Sequence, residues 1–431
     1  MSTLAEISGR NLAILGGPKA IPNTGSHADM FRWPIVTKED EQAVVQVLRS
    51  GTMSALDVTR LFEAEFAAWQ GSRFALAHCN GTAALLAAMY AVGLRRGDEL
   101  ICPSITYWAS ALQAFSLGAT VVFADVKPHS ICIDPRDLDR RISRRTRAIM
   151  VVHAYGHPAD MDPILAIARK HGLKVIEDVS HAHGALYKGR KVGTFGDVAA
   201  MSMMGSKSFA IGEAGMLVTD NRAIYERAVA FAHYERHADV LTLPELKGVA
   251  GLPLGGVKGR INQTCSAMGR VQLKYYDHRM AEIQKAMNRF WDLLEGTPGL
   301  RAHRPAKGSG STMGGWYAAA GLYVPEELGD LPAKRFVEAV AAEGAPIELG
   351  VNLPLHEMPL FNIVDVYGDG KPTRIAFAER DVRQAPDSLP VAHAMAQHTY
   401  RIPWFKHDRP EVIERYAAAF HKVAMQHKKL L

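Results

Sequence analysis

A chain of 431 residues, 48% hydrophobic and 22% charged, is long enough for one large domain or for a large domain with a smaller one, each around its own core. The formal charge of +6 is modest for that length, and the densest basic run, "DLDRRISRRTR" (137–147), is mixed with acids and reads as a solvated helix face with its following loop, so nucleic acid is not the expected partner. No apolar run approaches the roughly 20 residues that cross a bilayer, and the N-terminus lacks the charged, apolar, small order of a signal peptide, which places the chain in the cytoplasm with no membrane contact.

Residues 1–37 are irregular, with glycines at 16 and 17, and read as an arm that packs on something else. Helical spacing begins in "KEDEQAVVQVLRS" and continues in "VTRLFEAEFAAWQG". From Phe74 to about Val218, short β-rich runs alternate with helical ones: "RFALAHC", "DELICPS", "TVVFADV", "TRAIMVVHA", "KVIEDVS", "AAMSMM" and "GMLVTD" read as strands. Continuous apolar strands separated by crossover helices predict an α/β fold, with a mostly parallel seven-stranded sheet flanked by helices. Ligands on such sheets bind beyond the carboxyl ends of the strands.

After Asn221 come two helical stretches, the second, "MGRVQLKYYDHRMAEIQKAMNRFWDLLE", long enough to bridge between domains. A smaller α+β region follows, with "WYAAAGLYV", "PAKRFVEAVAAEG", "IELG" and a last helix in "PEVIERYAAAFHKVAMQH". The expected organisation is an arm over 1–37, a large domain over 38–285 and a small C-terminal domain over 286–431. The cysteines Cys79, Cys102, Cys132 and Cys265 form no CxxC and mostly sit in apolar runs, so free thiols are expected rather than a disulfide or a metal cluster.

Three strand ends carry chemistry. "RFALAHC" runs into Asn80, Gly81 and Thr82, where a helix start offers free N–H groups and the positive end of the dipole, either as an anion seat or as an ordinary cap. "LKVIEDVSHAHGA" ends in Glu177 and Asp178, followed by His181 and His183; an acid there caps a helix, pairs with a base or serves a ligand. Lys207 follows "VAAMSMM" and a Gly-Ser turn, and a lysine in apolar surroundings becomes an amine nucleophile. A phosphate seat, a strand-end acid and a lysine in this order suit pyridoxal phosphate, which needs one of each.

At this point the chain resembles the DegT/StrS-type sugar and cyclitol aminotransferases, which are fold type I pyridoxal phosphate enzymes. The motifs run in order from "FRWP" through "NGTAALLAAMYAVGLRRGDELICPSITYWASA", "VVFADVKPHSICIDP", "VVHAYGHPADMDPI" and "VIEDVSHAHGA" to "LPLHEMPLF". The likeness leans to the scyllo-inosose and aminohydroxybenzoate synthase branch. It implies that Gly81, Thr82 and Ser202 hold the phosphate, that Tyr107 stacks on the pyridine ring and that Asp178 pairs with the ring nitrogen. It further implies that His181 stands where many relatives carry a glutamine that reaches the ring oxygen, and that Lys207 is the Schiff-base lysine and catalytic base.

Asn262 matches an asparagine that reaches the phosphate of a neighbouring subunit's cofactor, which implies a homodimer with shared active sites. His356, in "PLHEMPLF", is a candidate substrate residue, and the loop 233–259 is expected to shape the substrate pocket. One departure is "GEAG", with Ala214 where relatives have glycine; its backbone must differ slightly or already have a negative φ. Lys207 argues against the dehydratase branch, which has histidine at this position. The expected reaction is ping-pong transfer of an amino group from glutamine or glutamate to a ring ketone. The alternatives are elimination, replacement or carbon–carbon chemistry on an amino acid, or a non-catalytic regulator that keeps the fold.

Overall fold

The apolar runs pair as their pattern requires in a computed structural model of the chain, which describes residues 4–22, 25–350 and 352–431. Strands β1 (Phe74–His78), β2 (Glu99–Pro103), β3 (Thr120–Ala124), β4 (Thr146–Val152) and β5 (Lys174–Asp178) are followed by a small hairpin of β6 (Leu186–Tyr187) and β7 (Arg190–Lys191), then by β8 (Val198–Ser202) and β9 (Gly215–Thr219). All but the hairpin form one seven-stranded sheet in the order β1-β9-β8-β5-β4-β2-β3. Its pairs from β3 to β8 are parallel, and β9 lies antiparallel between β8 and β1. Strands β2, β3 and β9 are buried along their whole length, because crossover helices cover both faces.

Local signals set the helix ends. Thr37 and Asp40 form a capping box before the helix Lys38–Ser50, which stops at Gly51 in the left-handed region. Asn80 caps Gly81–Ala91 and Asn262 caps Gln263–Leu293. That last helix leans on Asp57–Gln70 so closely that a Cβ at Gly269 would lie 2.6 Å from the Phe62 ring, so the glycine sets the helix separation.

A second, antiparallel sheet combines β10 (Leu300–Ala302), β11 (Ala320–Tyr323), β12 (Glu348–Leu349) and β13 (Thr399–Arg401) in the order β10-β11-β13-β12. The strand expected from "WYAAAGLYV" begins only at Ala320, because Trp316 and Ala318 have positive φ and hold the chain in a turn. Two apolar cores result. One surrounds the large sheet; the other gathers Phe290, Trp291, Phe336, Tyr400, Phe405 and Phe420 with Ile7, Leu12, Ile21 and Met30 of the N-terminal arm. The segment 352–395 folds back on the first core through Leu355, Phe361, Val382 and Leu389. There the fully buried Arg374 donates to the carbonyls of Val121 and Val382.

The basic run is largely neutralised within the chain: Arg140 and Arg141 pair with Asp137, and Arg144 and Arg145 with Glu379. All four cysteines are free. Among the described residues, no helix is long and apolar enough to cross a membrane and no His, Cys, Asp and Glu group is placed to hold a metal ion.

Candidate active site

The carboxyl ends of β1, β4, β5 and β8 open into a chamber of about 310 Å³. Its walls include Gly81, Thr82, Tyr107, Asp178, His181, Ser202 and Lys207, which lie up to 126 positions apart in sequence. The candidate phosphate seat lies where β1 turns into its helix. Asn80 Oδ1 accepts from the Ala83 N–H at 2.8 Å and the Asn80 carbonyl from Ala84, which leaves the N–H groups of Gly81 and Thr82 for a ligand. A Cβ on Gly81 would meet Ser202 Cβ at 2.6 Å, so only glycine lets the helix start and the end of β8 meet here.

The pleat of β5 separates the two acids. Glu177 points away from the chamber and is fully buried, accepting from His153 Nε2 at 3.0 Å and from the N–H groups of Gly193, Phe195 and Gly196. Burial pushes its carboxyl up, but the imidazole and the backbone donors more than offset that and hold it below the usual carboxylate range. Asp178 faces the chamber: Ser110 Oγ–H donates to its Oδ2 at 2.7 Å and the Ser180 N–H to its Oδ1 at 3.0 Å. Thr106, on the wall, bonds Ser110 in turn at 2.7 Å.

His181 is 6% exposed, between the rings of Tyr155 and Tyr317. Burial, helped by the nearby Lys207 charge, pushes its pKa well below that of free histidine, so it is neutral near pH 7 rather than a titrating group. Its Nδ1 accepts from the Tyr155 N–H at 3.3 Å, which leaves the ring proton on Nε2 as a donor. His183 is not on the wall; its Nδ1 faces Ser208 Oγ at 3.1 Å and burial lowers its pKa to about 3.

Lys207 is 7% exposed and forms no salt bridge among the described residues; its Nζ lies 4.1 Å from the centre of the Tyr317 ring. Its carbonyl accepts from Trp33 Nε1 at 2.7 Å, which ties the arm to the loop that carries the lysine. Tyr107 is 49% exposed at the rim. Ala214 is fully buried and does not have positive φ, whereas its neighbour Gly212 does at +106°, so the turn accommodates the alanine without strain.

Two expected residues lie elsewhere. Asn262 is exposed and outside the chamber, where its side chain accepts from the Cys265 N–H. His356 is fully buried and also off the wall, with Nδ1 bonded to Ser104 Oγ at 2.6 Å and Nε2 to the Pro386 carbonyl at 3.0 Å, so it ties the end of β2 to the 352–395 segment. None of residues 233–259 lines the chamber; this loop packs beside β1, with the buried Arg236 paired to Glu63.

Sequence reasoning missed Thr106, Tyr155, Glu213, Tyr317, Asn352 and Arg401 on the walls. Tyr155 and Ala318 have φ of 51° and 50°, and Trp316, next to Tyr317, has 56°; non-glycine residues held this way mark strain stored around a site. The donor set fits pyridoxal phosphate: helix N–H groups and hydroxyls for the phosphate, a carboxylate already held at both oxygens for the ring nitrogen, a neutral imidazole N–H for the ring oxygen, and an amine without a counter-ion for the aldehyde.

The model of the DegT/DnrJ/EryC1/StrS aminotransferase family matches residues 34–420. The L-glutamine:scyllo-inosose aminotransferase of Streptomyces griseus is 35% identical over 363 residues, covering 81% of this chain and 83% of its own. GDP-perosamine synthase of Caulobacter vibrioides is 48% identical over 228 residues, 52% of this chain and 59% of its own. The X-ray structure of an aminotransferase from Psychrobacter cryohalolentis superposes with a TM-score of 0.78 at 28% identity, covering 90% of this chain and 97% of that one. The chain therefore belongs to the DegT/DnrJ/EryC1/StrS aminotransferase family and is a pyridoxal-phosphate-dependent aminotransferase of the fold type I architecture.

Proposed function

We propose that the chamber moves an amino group from glutamine or glutamate to a ring ketone, either a keto sugar or a cyclitol, in a biosynthetic pathway such as that of an antibiotic. The observation that carries the reading is the placing of a buried lysine, an oriented aspartate and a helix N-terminus around one chamber. The names of the relatives support the substrate classes: one takes L-glutamine and scyllo-inosose, another makes GDP-perosamine. They do not favour elimination, replacement or carbon–carbon chemistry.

Gly81, Thr82 and Ser202 would hold the phosphate, and Tyr107, at the rim, would pack on the ring. Asp178, fixed by Ser110 and Ser180, holds a proton on the ring nitrogen, and the His181 Nε2–H steadies the ring oxygen. Bound there, pyridoxal phosphate supplies an electron sink that acidifies the α C–H of an amino acid and carries the amino group between substrates. Lys207 would hold the cofactor through its amine, and in the donor half-reaction its free Nζ would take the proton from the donor's α-carbon. In the second half-reaction the same Nζ returns a proton to the carbon that was the ketone. Trp33 and Tyr317 pack around Lys207 and limit its contact with water.

In this reading the protein is a cytoplasmic homodimer. In it Asn262 serves the phosphate seat of a partner subunit, a role supported by its exposure at a helix start outside its own chamber. His356, bonded to Ser104 and to the Pro386 carbonyl and off the chamber wall, holds the segment 352–395 in place rather than touching the substrate. The test is an absorption spectrum before and after adding glutamine or glutamate, with keto acid measured alongside. The unmodified protein should lose its visible band and release one keto acid per site. Borohydride should fix the cofactor on Lys207, located by mass spectrometry, and Lys207→Ala should show neither effect. A cofactor that no amino acid converts would sink the aminotransfer reading.

A further inference from the structure

Two tryptophans hold the two segments that meet at Lys207. Trp33 of the arm donates from Nε1 to the Lys207 carbonyl at 2.7 Å, and Trp404, just beyond β13, donates from Nε1 to the Gly315 carbonyl at 3.1 Å. Gly315 abuts the residue after the lysine, since a Cβ on it would lie 2.4 Å from Ser208 Cβ. It also leads into Tyr317, whose ring lies against Lys207 Nζ and meets Trp404 edge-on with centroids 6.3 Å apart. The two indoles touch each other, with centroids 5.4 Å apart and planes tilted by 47°. Each indole has a single N–H to donate, so the orientation of its ring sets the place of the carbonyl it holds.

Lys406 closes this pair. It is 3% exposed, with Nζ 3.5 Å from the centre of the Trp404 ring and 5.8 Å from that of Trp33. Nζ also donates to the Trp404 carbonyl at 2.8 Å, and the Lys406 backbone N–H donates to the Met30 carbonyl of the arm. Burial pushes its pKa down from 10.5 to about 6, and no carboxylate opposes this. The amine is therefore held for its N–H groups, which serve a carbonyl and an aromatic face with or without the extra proton. Trp33, Trp404 and Lys406 all lie off the chamber wall. A lysine that holds a cofactor and then carries a proton depends on where its own main chain sits, because a shift of about 1 Å caused far from the chemistry can cost on the order of 100-fold in rate. We propose that Lys406 is a positioning residue for Lys207: by fixing the faces of Trp404 and Trp33 it fixes their N–H groups, and with them the Lys207 and Gly315 carbonyls, so that Nζ keeps its place against Tyr317. Lys406 touches neither substrate nor cofactor. This inference rests on the aminotransferase reading above.

The test follows the donor half-reaction of the holoenzyme by absorbance, using whichever of glutamine and glutamate the unmodified protein converts, with hydrogen or deuterium on the α-carbon. Lys406→Met keeps the buried stem and removes the amine. Its rate constant at saturating donor should fall about tenfold, while the half-saturating donor concentration and the cofactor's dissociation constant stay within about twofold. Its deuterium isotope effect should rise, because the proton step becomes slower than the others. Trp33→Phe keeps a ring and loses the N–H, and should slow the same step by a similar factor. The two changes together should slow it about tenfold rather than the roughly 100-fold expected of independent effects. Lys406→Arg keeps N–H groups and adds a plane that stacks on indole; the groove of about 410 Å³ beside Phe31, Ile347, Pro403 and Trp404 has room for it, and most of the rate should return. Lys406→Gln, too short to reach both rings, is the second variant should Lys406→Met not fold, and should show the same split. A lower urea midpoint with an unchanged rate constant overturns the proposal, as do single effects that multiply, or a loss that appears only as weaker binding of donor or cofactor. If the unmodified protein converts no amino acid at all, the aminotransferase reading falls and takes this proposal with it.

Discussion

Ala214 and Gly212 sit two residues apart in "GEAG" and answer differently to substitution. Ala214 is buried with ordinary backbone angles, and its carbonyl accepts from Met203 N–H at 2.8 Å. Ala214→Gly frees the unfolded chain and should cost about 0.4–1 kcal/mol. Gly212 has φ of +106°, and a Cβ there would lie 3.4 Å from Cys265 Sγ, so Gly212→Ala should cost more, about 1–3 kcal/mol. Urea midpoints decide this; the reverse order would mean the turn is not held as described. Nearby, Ser110→Ala removes the hydroxyl that holds Asp178 Oδ2, so the cofactor's dissociation constant should rise about tenfold and Ser110→Thr should restore it. Spectroscopic titration of the apoprotein with cofactor would read both, and an unchanged constant in the alanine variant would remove Ser110 from the site.

The last helix, Pro410–Met425, and the helix Ala333–Ala342 are joined to the N-terminal arm by a buried ion pair. Lys422 Nζ donates to Glu343 Oε2 at 2.8 Å and to the Pro18 carbonyl; Glu343 also accepts from the N–H groups of Ala13 and Ala20. Both side chains are fully buried. Lys422→Met leaves Glu343 charged and without its cation, at a cost of about 3–5 kcal/mol, whereas Lys422→Met with Glu343→Gln should recover part of it. Limited proteolysis of the arm and the urea midpoint should move together in the single variant; an arm that stays protected would break the argument.

That clamp shows where sequence reading ends. The strands of the large sheet were legible because each is a continuous apolar run, and Gly81, Asp178 and Lys207 because they stand at strand ends. The second sheet was half legible: "WYAAAGLYV" and "IELG" hold β11 and β12, whereas β10 and β13 are three residues long, too short for a period of two to emerge. Arg401 therefore looked like any surface arginine. Tyr155 and Tyr317 are set by positive φ at Tyr155, Trp316 and Ala318, residue types that carry no turn signal. His356 belongs to a legible phrase, but its burial between Ser104 and Pro386 is a tertiary fact.

At the scale of the whole molecule, histidine burial couples stability to pH. His78, His181, His183, His233, His303 and His356 are less than a tenth exposed, and burial, the largest cause in each case, pushes every one below the ordinary histidine value. His183 is lowered to about 3 and His303 to about 4. A depressed folded pKa means that the unfolded chain binds protons the native state refuses, so the stabilising contribution is complete above the unfolded value near 6.5 and is lost as pH falls towards the folded one. Each such group removes up to about 1.4 kcal/mol per pH unit in that window. Several acting together between pH 6.5 and 5 compete with a net stability of about 5–15 kcal/mol. Urea midpoints should therefore be nearly flat from pH 8 to 7 and fall steeply below 6.5. His303, whose Nε2 bonds the Ser130 carbonyl and whose Nδ1 has no partner among the described residues, isolates one contribution. His303→Gln should make the slope below pH 6.5 shallower by close to one proton, whatever it does to stability at pH 8. A midpoint that holds constant down to pH 5, or a slope indifferent to that substitution, would show that these rings already carry their protons in the folded protein.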